Sequence, residues 1–205
     1  MFMKILIGTT NKGKQQDYKK ILSAKIKSPI SVIFPQDLDI EKSPVENGST
    51  FVENSLIKAK YYFEKSGLPT IADDGGIEIP ILNNEPGVLS RRWPGHEATD
   101  DELIKFTIQN LKEYPNREQR RALLTVWITY YDGKDTIVEN ESIDGYISNQ
   151  ININYIKGYP YRALFIVNGV DKYYDELSDK EHAIYNHRRK ALIRLWKKIH
   201  LKYNI

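Results

Sequence analysis

The chain has 205 residues, of which 40% are apolar and 28% charged, the balance of a soluble globular protein with one sizeable core. The absence of cysteine excludes disulfides, thiolate catalysis and cysteine-ligated zinc. A net charge of +3 is too small to argue for nucleic acid, and the apolar opening MFMKILIG is too short for a signal peptide or a membrane span, so a cytoplasmic protein is expected.

Lys4 to Gly8 is a short apolar run, expected as a buried first strand that passes into a polar loop and a helix start. Gly8 to Lys14 fits G-x-x-x-x-G-K, but Gln15 replaces the Ser or Thr that would hold Mg²⁺, so the match carries no weight. Backbone N–H groups at a helix start, with Lys12 and Lys14, still make a good anion seat; a solvated lysine-rich start reads equally well. A second strand is expected over Ile30 to Phe34, then a long acidic loop to Gly48.

The stretch from Ser49 to Gly76 is expected to organise the rest. Thr50 and Glu53 form a capping box, Val52, Leu56, Ala59 and Phe63 line one helical face, and Gly67 with Pro69 ends the helix. Thr70 to Ala72 then leads as a strand into Asp73 and Asp74, and Gly75-Gly76 lets the chain turn sharply. Two adjacent carboxylates need a cation or hydrogen-bond donors to balance them, which suggests a metal site or a general base. Taken singly, Glu53 is better read as a plain cap and the aspartates as plain turn residues. With Lys58 and Lys60 on the intervening helix, a cation and phosphate site is favoured.

Ile77, Ile79 and Ile81 alternate with Glu78 and Pro80, which predicts a further strand lying at a sheet edge. Thr99-x-x-Glu102 opens a helix to about Leu111. Arg121 to Tyr131 and Asp135 to Ile147 flank Asp132-Gly133, a strong hairpin signal. After Lys157 to Arg162 and the run ALFIV, Ser178-x-x-Glu181 is expected to cap one last helix with the stripe Ile184, His187, Ala191, Leu195 and Ile199. By pattern alone His187 is a core residue. Arg188, Arg189, Lys190, Arg194, Lys197 and Lys198 make the other face basic: usually solvated surface, with nucleic-acid binding as a minority reading. The element order indicates an α/β fold with a mixed sheet, in one domain over residues 1–205.

TTNKGK, TFVENSLIKAK, GLPTIADDGGIEI, EPGVLSRRWPG and NHRRKAL together resemble the inosine triphosphate pyrophosphatase family, collinearly and over nearly the whole chain. The resemblance implies an elongated α/β fold, a mixed central sheet flanked by helices, in two lobes with a nucleotide cleft between them, usually as a homodimer. For the dimer, Trp93 and the apolar positions from Pro86 onward are the expected face. It also implies Mg²⁺-dependent hydrolysis (Mn²⁺ substituting) of a non-standard purine nucleoside triphosphate to monophosphate and pyrophosphate.

Carried over by motif, Thr9, Thr10, Asn11, Lys14, Lys58 and Gly75 fall at phosphate-contacting positions, Thr10 where glycine and Gly75 where serine is common. Glu53 and Asp74 fall at metal positions, with Asp74 the catalytic aspartate and Asp73 beside it. Tyr159, Tyr161, Arg162, His182, His187 and Arg188 fall in the base pocket. Here the chain departs from the family: Tyr159-Pro160-Tyr161-Arg162 replaces Phe-Gly-Tyr-Asp, His182 replaces a lysine, and Asn186 replaces a serine. A shifted base preference is therefore expected, set against an Arg162 that merely points to solvent. The alternative function is a nucleotide sensor of the same fold with little turnover.

Overall fold

A computed structural model describes residues 3–25 and 30–203; Met1 and Phe2 of the apolar opening lie outside them. Strands β1 (Met3–Ile7), β2 (Ile30–Ile33), β3 (Thr70–Ile79), β4 (Glu85–Pro86), β5 (Arg121–Tyr131), β6 (Thr136–Ile147), β7 (Phe165–Val167) and β8 (Lys172–Tyr173) form one mixed sheet. Its order is β2-β1-β3-β5-β6-β7-β8, with β4 paired to β3. Pairs β1–β2 and β1–β3 are parallel, while β6–β7 and β7–β8 are antiparallel. Helices α1 (Lys12–Lys25), α2 (Phe51–Ser66), α3 (Asp100–Asn110), α4 (Asp179–Tyr185) and α5 (His187–Tyr203) complete the fold, as expected of the α/β class.

Contacts divide the chain into two units, and each has its own core. The first comprises residues 1–74, 126–141 and 188–205. Its core joins Ile5, Ile7, Tyr18, Ile71, Val126, Ile128, Ala191, Leu195 and Ile199. The second comprises residues 75–125 and 142–187, cored by Ile77, Ile79, Leu103, Ala122, Ile147, Leu164, Phe165 and Tyr174.

Three elements differ from expectation. The chain does not turn at Gly75-Gly76: β3 runs unbroken from Thr70 to Ile79. Neither glycine takes positive φ. Ladder pairing overrides the local turn signal, and β3, between β1 and β5, is not an edge strand.

The buried face of α2 is rotated from the one that apolar spacing predicts. It carries Phe51, Asn54, Ser55, Lys58, Ala59 and Tyr62, while Val52, Leu56 and Phe63 are half-buried. Polar members tolerate burial because they are paired: Ser55 Oγ lies 2.6 Å from Thr129 Oγ1, and Asn54 Oδ1 accepts from Gly48 N at 2.8 Å.

The last helix is two. Ser178 caps α4, and Asn186, with φ −68° and ψ 103°, breaks the path before α5 begins at His187. Asparagine favours the position before a helix, which is the missed signal. Ile184 is consequently exposed, while His187, Ala191, Leu195 and Ile199 are buried. Part of the basic face of α5 is engaged in ion pairs within the first unit. Arg194 pairs with Glu139 and Glu141, and Lys198 with Glu139.

Candidate active site

The loop after β1 is held by its own side chains. Asn11 N donates to Thr9 Oγ1, Lys14 N donates to Asn11 Oδ1 at 3.0 Å, and Gln15 Nε2 donates to the Thr9 carbonyl. These bonds hold the start of α1 in place, with Lys14 in its first turn. Thr10 Oγ1 lies 3.1 Å from Ser43 Oγ, which in turn lies 3.2 Å from the Tyr62 hydroxyl. A side chain at Gly8 would meet the Tyr62 ring at 2.6 Å, so only glycine lets this loop leave the sheet so close to α2.

Asp73 and Asp74, at the middle of β3, are both buried. Asp73 Oδ2 receives Lys14 Nζ at 3.1 Å and Arg188 at 3.2 and 3.3 Å. Arg188 Nη1 reaches on to Asp17 Oδ2 at 3.1 Å. Burial alone would oppose the charge on Asp73, but Lys14, Arg188 and Lys58 outweigh it and hold the carboxyl well below the usual range. Burial lowers the basicity of Lys14; Asp73 opposes that, while Lys58 and Arg188 add repulsion. One carboxylate facing several cations explains the direction at Asp73, and burial leads at Lys14.

Asp74 pairs with the other lysine. Lys58 Nζ lies 3.0 Å from Asp74 Oδ1 and 2.7 Å from Glu46 Oε2. Burial works against the Lys58 charge, yet Asp74, Glu46 and Asp73 together raise its basicity. Glu46 stands on the acidic loop, which is tied to α2 by the Gly48–Asn54 bond. A side chain at Gly48 would come within 2.7 Å of Asn54 Oδ1.

Of the residues expected from the sequence, Lys14, Lys58, Asp73 and Asp74 thus gather in the first unit, with Thr9 and Asn11 shaping the adjoining loop. Gly75 follows Asp74 within the strand. Glu53 is exposed, and its Oε2 accepts from Ser49 N, Ser49 Oγ and Thr50 N, the capping box. These donors hold its pKa below the usual carboxylate value, the Ser49 hydroxyl contributing most. Arg188, expected beside the base, lies against Asp73. Glu46 and Asp17 were not foreseen.

The second unit collects the aromatic and imidazole residues. Tyr174 is buried and meets His182 and His187 edge-on, at 5.4 and 5.8 Å between ring centres. Arg162 does not point to solvent: it is 5% exposed, with its guanidinium over the rings of Tyr159 and Tyr174. Tyr161 is buried, donating its hydroxyl to the Ser90 carbonyl at 2.6 Å.

The sequence model of the Ham1 family matches residues 5–198. The chain belongs to the Ham1 family. A dITP/XTP pyrophosphatase of Haemophilus influenzae is 37% identical over 198 residues, covering 94% of this chain and 96% of that protein. One of Leptospira interrogans is 33% identical over 197 residues, covering 96% and 97%. Among solved structures, the Staphylococcus aureus Ham1 protein superposes with a TM-score of 0.79 at 28% identity, covering 97% of this chain and 99% of that one. The HAM1 protein of Coxiella burnetii gives 0.79 at 26% identity, covering 98% and 100%. The family resemblance drawn from the motifs therefore holds, as does the mixed α/β fold that it implied.

Proposed function

We propose that this Ham1 family chain is a nucleoside triphosphate diphosphatase that converts non-standard purine nucleoside triphosphates, dITP and XTP foremost, to the monophosphate and pyrophosphate. The observation that carries this reading is the convergence of Lys14 and Lys58 on the adjacent carboxylates Asp73 and Asp74. A triphosphate brings about four negative charges, and buried ammonium groups already facing a carboxylate pair are suited to receive them. The names of the relatives point to the same substrates.

The donor set also suits Mg²⁺. That ion takes one or two carboxylates and completes its shell with water and substrate phosphate rather than an all-protein cage. Among the described residues no three His or acidic side chains are grouped to enclose a metal. Glu46 and Asp74, which share the Lys58 ammonium, form such a half-built pair. We assign the metal to these two; Glu53, whose Oε2 is engaged at the helix cap, remains the ligand that the resemblance implies. Mg²⁺, with Mn²⁺ as a substitute, supplies charge neutralisation on the phosphates when bound.

Asp74 orients the attacking water and takes its proton. Lys14 and Lys58 donate to phosphate oxygens and hold the charge of the leaving pyrophosphate. Asp73 keeps Lys14 and Arg188 in register from below. Tyr159, His182 and His187 are the purine-contacting residues that the resemblance implies. The 205 residues act as one catalytic domain, working on the cytoplasmic nucleotide pool. Two chains associate through residues 86–93, where Leu89 is exposed; sedimentation at micromolar concentration checks this. Among the described residues no helix is long and apolar enough to cross a membrane.

The test is steady-state turnover of dITP, XTP, dGTP and dATP with Mg²⁺. dITP and XTP are expected to exceed dATP in kcat/KM by at least about a hundredfold, the scale on which unpaired polar groups reject a wrong partner. Equal rates on all four would contradict the purine assignment.

A further inference from the structure

The departure from the family pattern at Arg162 has a structural resolution. Arg162 sits in the 3₁₀ turn Pro160–Ala163, and its backbone N–H donates to the Tyr159 carbonyl at 3.0 Å. Its guanidinium carbon lies 3.5 Å from the centre of the Tyr159 ring and 4.5 Å from that of Tyr174. Nη1 lies 3.4 Å from Asp175 Oδ1, with both side chains buried, and the other oxygen of Asp175 accepts from Ile156 N at 2.8 Å. Tyr174 in turn meets His182 and His187 edge-on. The result is a continuous stack, Tyr159 to Arg162 to Tyr174 to the two imidazoles, with Asp175 as its counter-charge.

A guanidinium that reads a base must present parallel N–H donors along the base edge. This one has its central carbon packed over two rings and sets an end nitrogen against a buried carboxylate. We propose that Arg162 is a positioning residue: it fixes the ring of Tyr159 as the surface on which the purine stacks, and it does not itself read the purine's hydrogen-bonding edge. Asp175 sets a buried carboxylate against Arg162, so the guanidinium is charge-paired within the second unit. Discrimination among purines then rests with His182 and His187, and the 6-oxo preference survives the changed motif. This proposal rests on the reading of the chain as a purine nucleoside triphosphate diphosphatase with Tyr159 in the base site.

The test uses Arg162→Lys, which keeps the charge but loses the flat group, and Asp175→Asn, which keeps the shape but loses the charge. Both are assayed on dITP, XTP and dGTP, with inorganic tripolyphosphate as a competitive inhibitor lacking a base. Lost positioning is expected to raise KM for each nucleotide about tenfold with kcat within about twofold. The ratio of kcat/KM for dITP over dGTP is expected to stay within about twofold of wild type, with the tripolyphosphate inhibition constant unchanged.

A change of that ratio by about tenfold or more would mean that Arg162 reads the base and would overturn the proposal. Unchanged KM in both variants would overturn it as well. So would a parallel loss in KM, kcat and tripolyphosphate binding, which marks general structural damage. Failure of the parent reading is distinguishable, because it appears in the wild-type protein as no turnover of any of the three nucleotides.

Discussion

Arg188 sets two nitrogens against a single oxygen of Asp73, at 3.2 and 3.3 Å, across 115 positions of sequence. The contact ties the first turn of α5 to the middle of β3, and Asp17 on α1 takes the third nitrogen. Removing Arg188 leaves Asp73 with Lys14 as its remaining cation. Arg188→Met is therefore expected to cost about 1–3 kcal/mol of stability, the scale of lost hydrogen bonds to a charged group, and Arg188→Lys clearly less. The midpoint and slope of urea unfolding measure both; a loss below about 1 kcal/mol for Arg188→Met would show that the clamp carries no weight.

Glu46 and Glu53 separate a metal role from a capping role. Glu46→Gln is expected to raise the Mg²⁺ concentration for half-maximal rate by about tenfold or more, as loss of one of two anionic ligands should. Glu53→Gln is expected to lower the Tm and leave the Mg²⁺ requirement unchanged. Titration of the rate with Mg²⁺ in each variant decides, and the reverse pattern would return the metal to Glu53. EDTA is expected to abolish turnover of the wild-type protein, with Mn²⁺ restoring it.

Much of the fold was legible because its signals are local. Thr50, Thr99 and Ser178 each receive the N–H of the glutamate three residues on, as the spacing predicts. Asp132-Gly133 joins β5 to β6 as expected. What was hidden depends on tertiary pairing. Gly75-Gly76 is a turn signal that a sheet overrides, and the polar face of α2 is acceptable only because Thr129, Glu46 and Asp74 meet it. Glu46 lies in a loop without periodicity, and nothing local marks it as the partner of a lysine twelve residues later. Arg162 looked like a solvent residue or a base reader because its carboxylate, Asp175, stands thirteen positions away beyond β7 and β8.

Acid sensitivity has one sharp local source at α4. Hydrogen bonds from Lys172 and from Ser178 hold Glu181 down to about 2. Its folded value is depressed, so the stabilisation is complete above the ordinary carboxylate range and is lost as pH falls through about 2. The stability gap between wild type and Glu181→Gln should be constant from pH 7 to about 5 and shrink steadily below that. The pair is exposed, so the gap is expected to be small. Urea unfolding at several pH values checks this; a gap that widens towards low pH would have the wrong sign.

Asp74→Asn removes the proposed proton acceptor while keeping shape and one acceptor oxygen. A fall in kcat of about 10²–10⁴ is expected, with Tm within a few degrees of wild type. The same loss from Asp73→Asn, with Asp74→Asn active, would move the base to Asp73.

The central claim is that water attacks the phosphorus nearest the nucleoside and that pyrophosphate leaves. The most direct measurement is turnover of dITP in ¹⁸O-water, with each product resolved by mass spectrometry. One labelled oxygen in dIMP, and none in the pyrophosphate, is the result predicted. Label in pyrophosphate, or release of orthophosphate with dIDP, would contradict it.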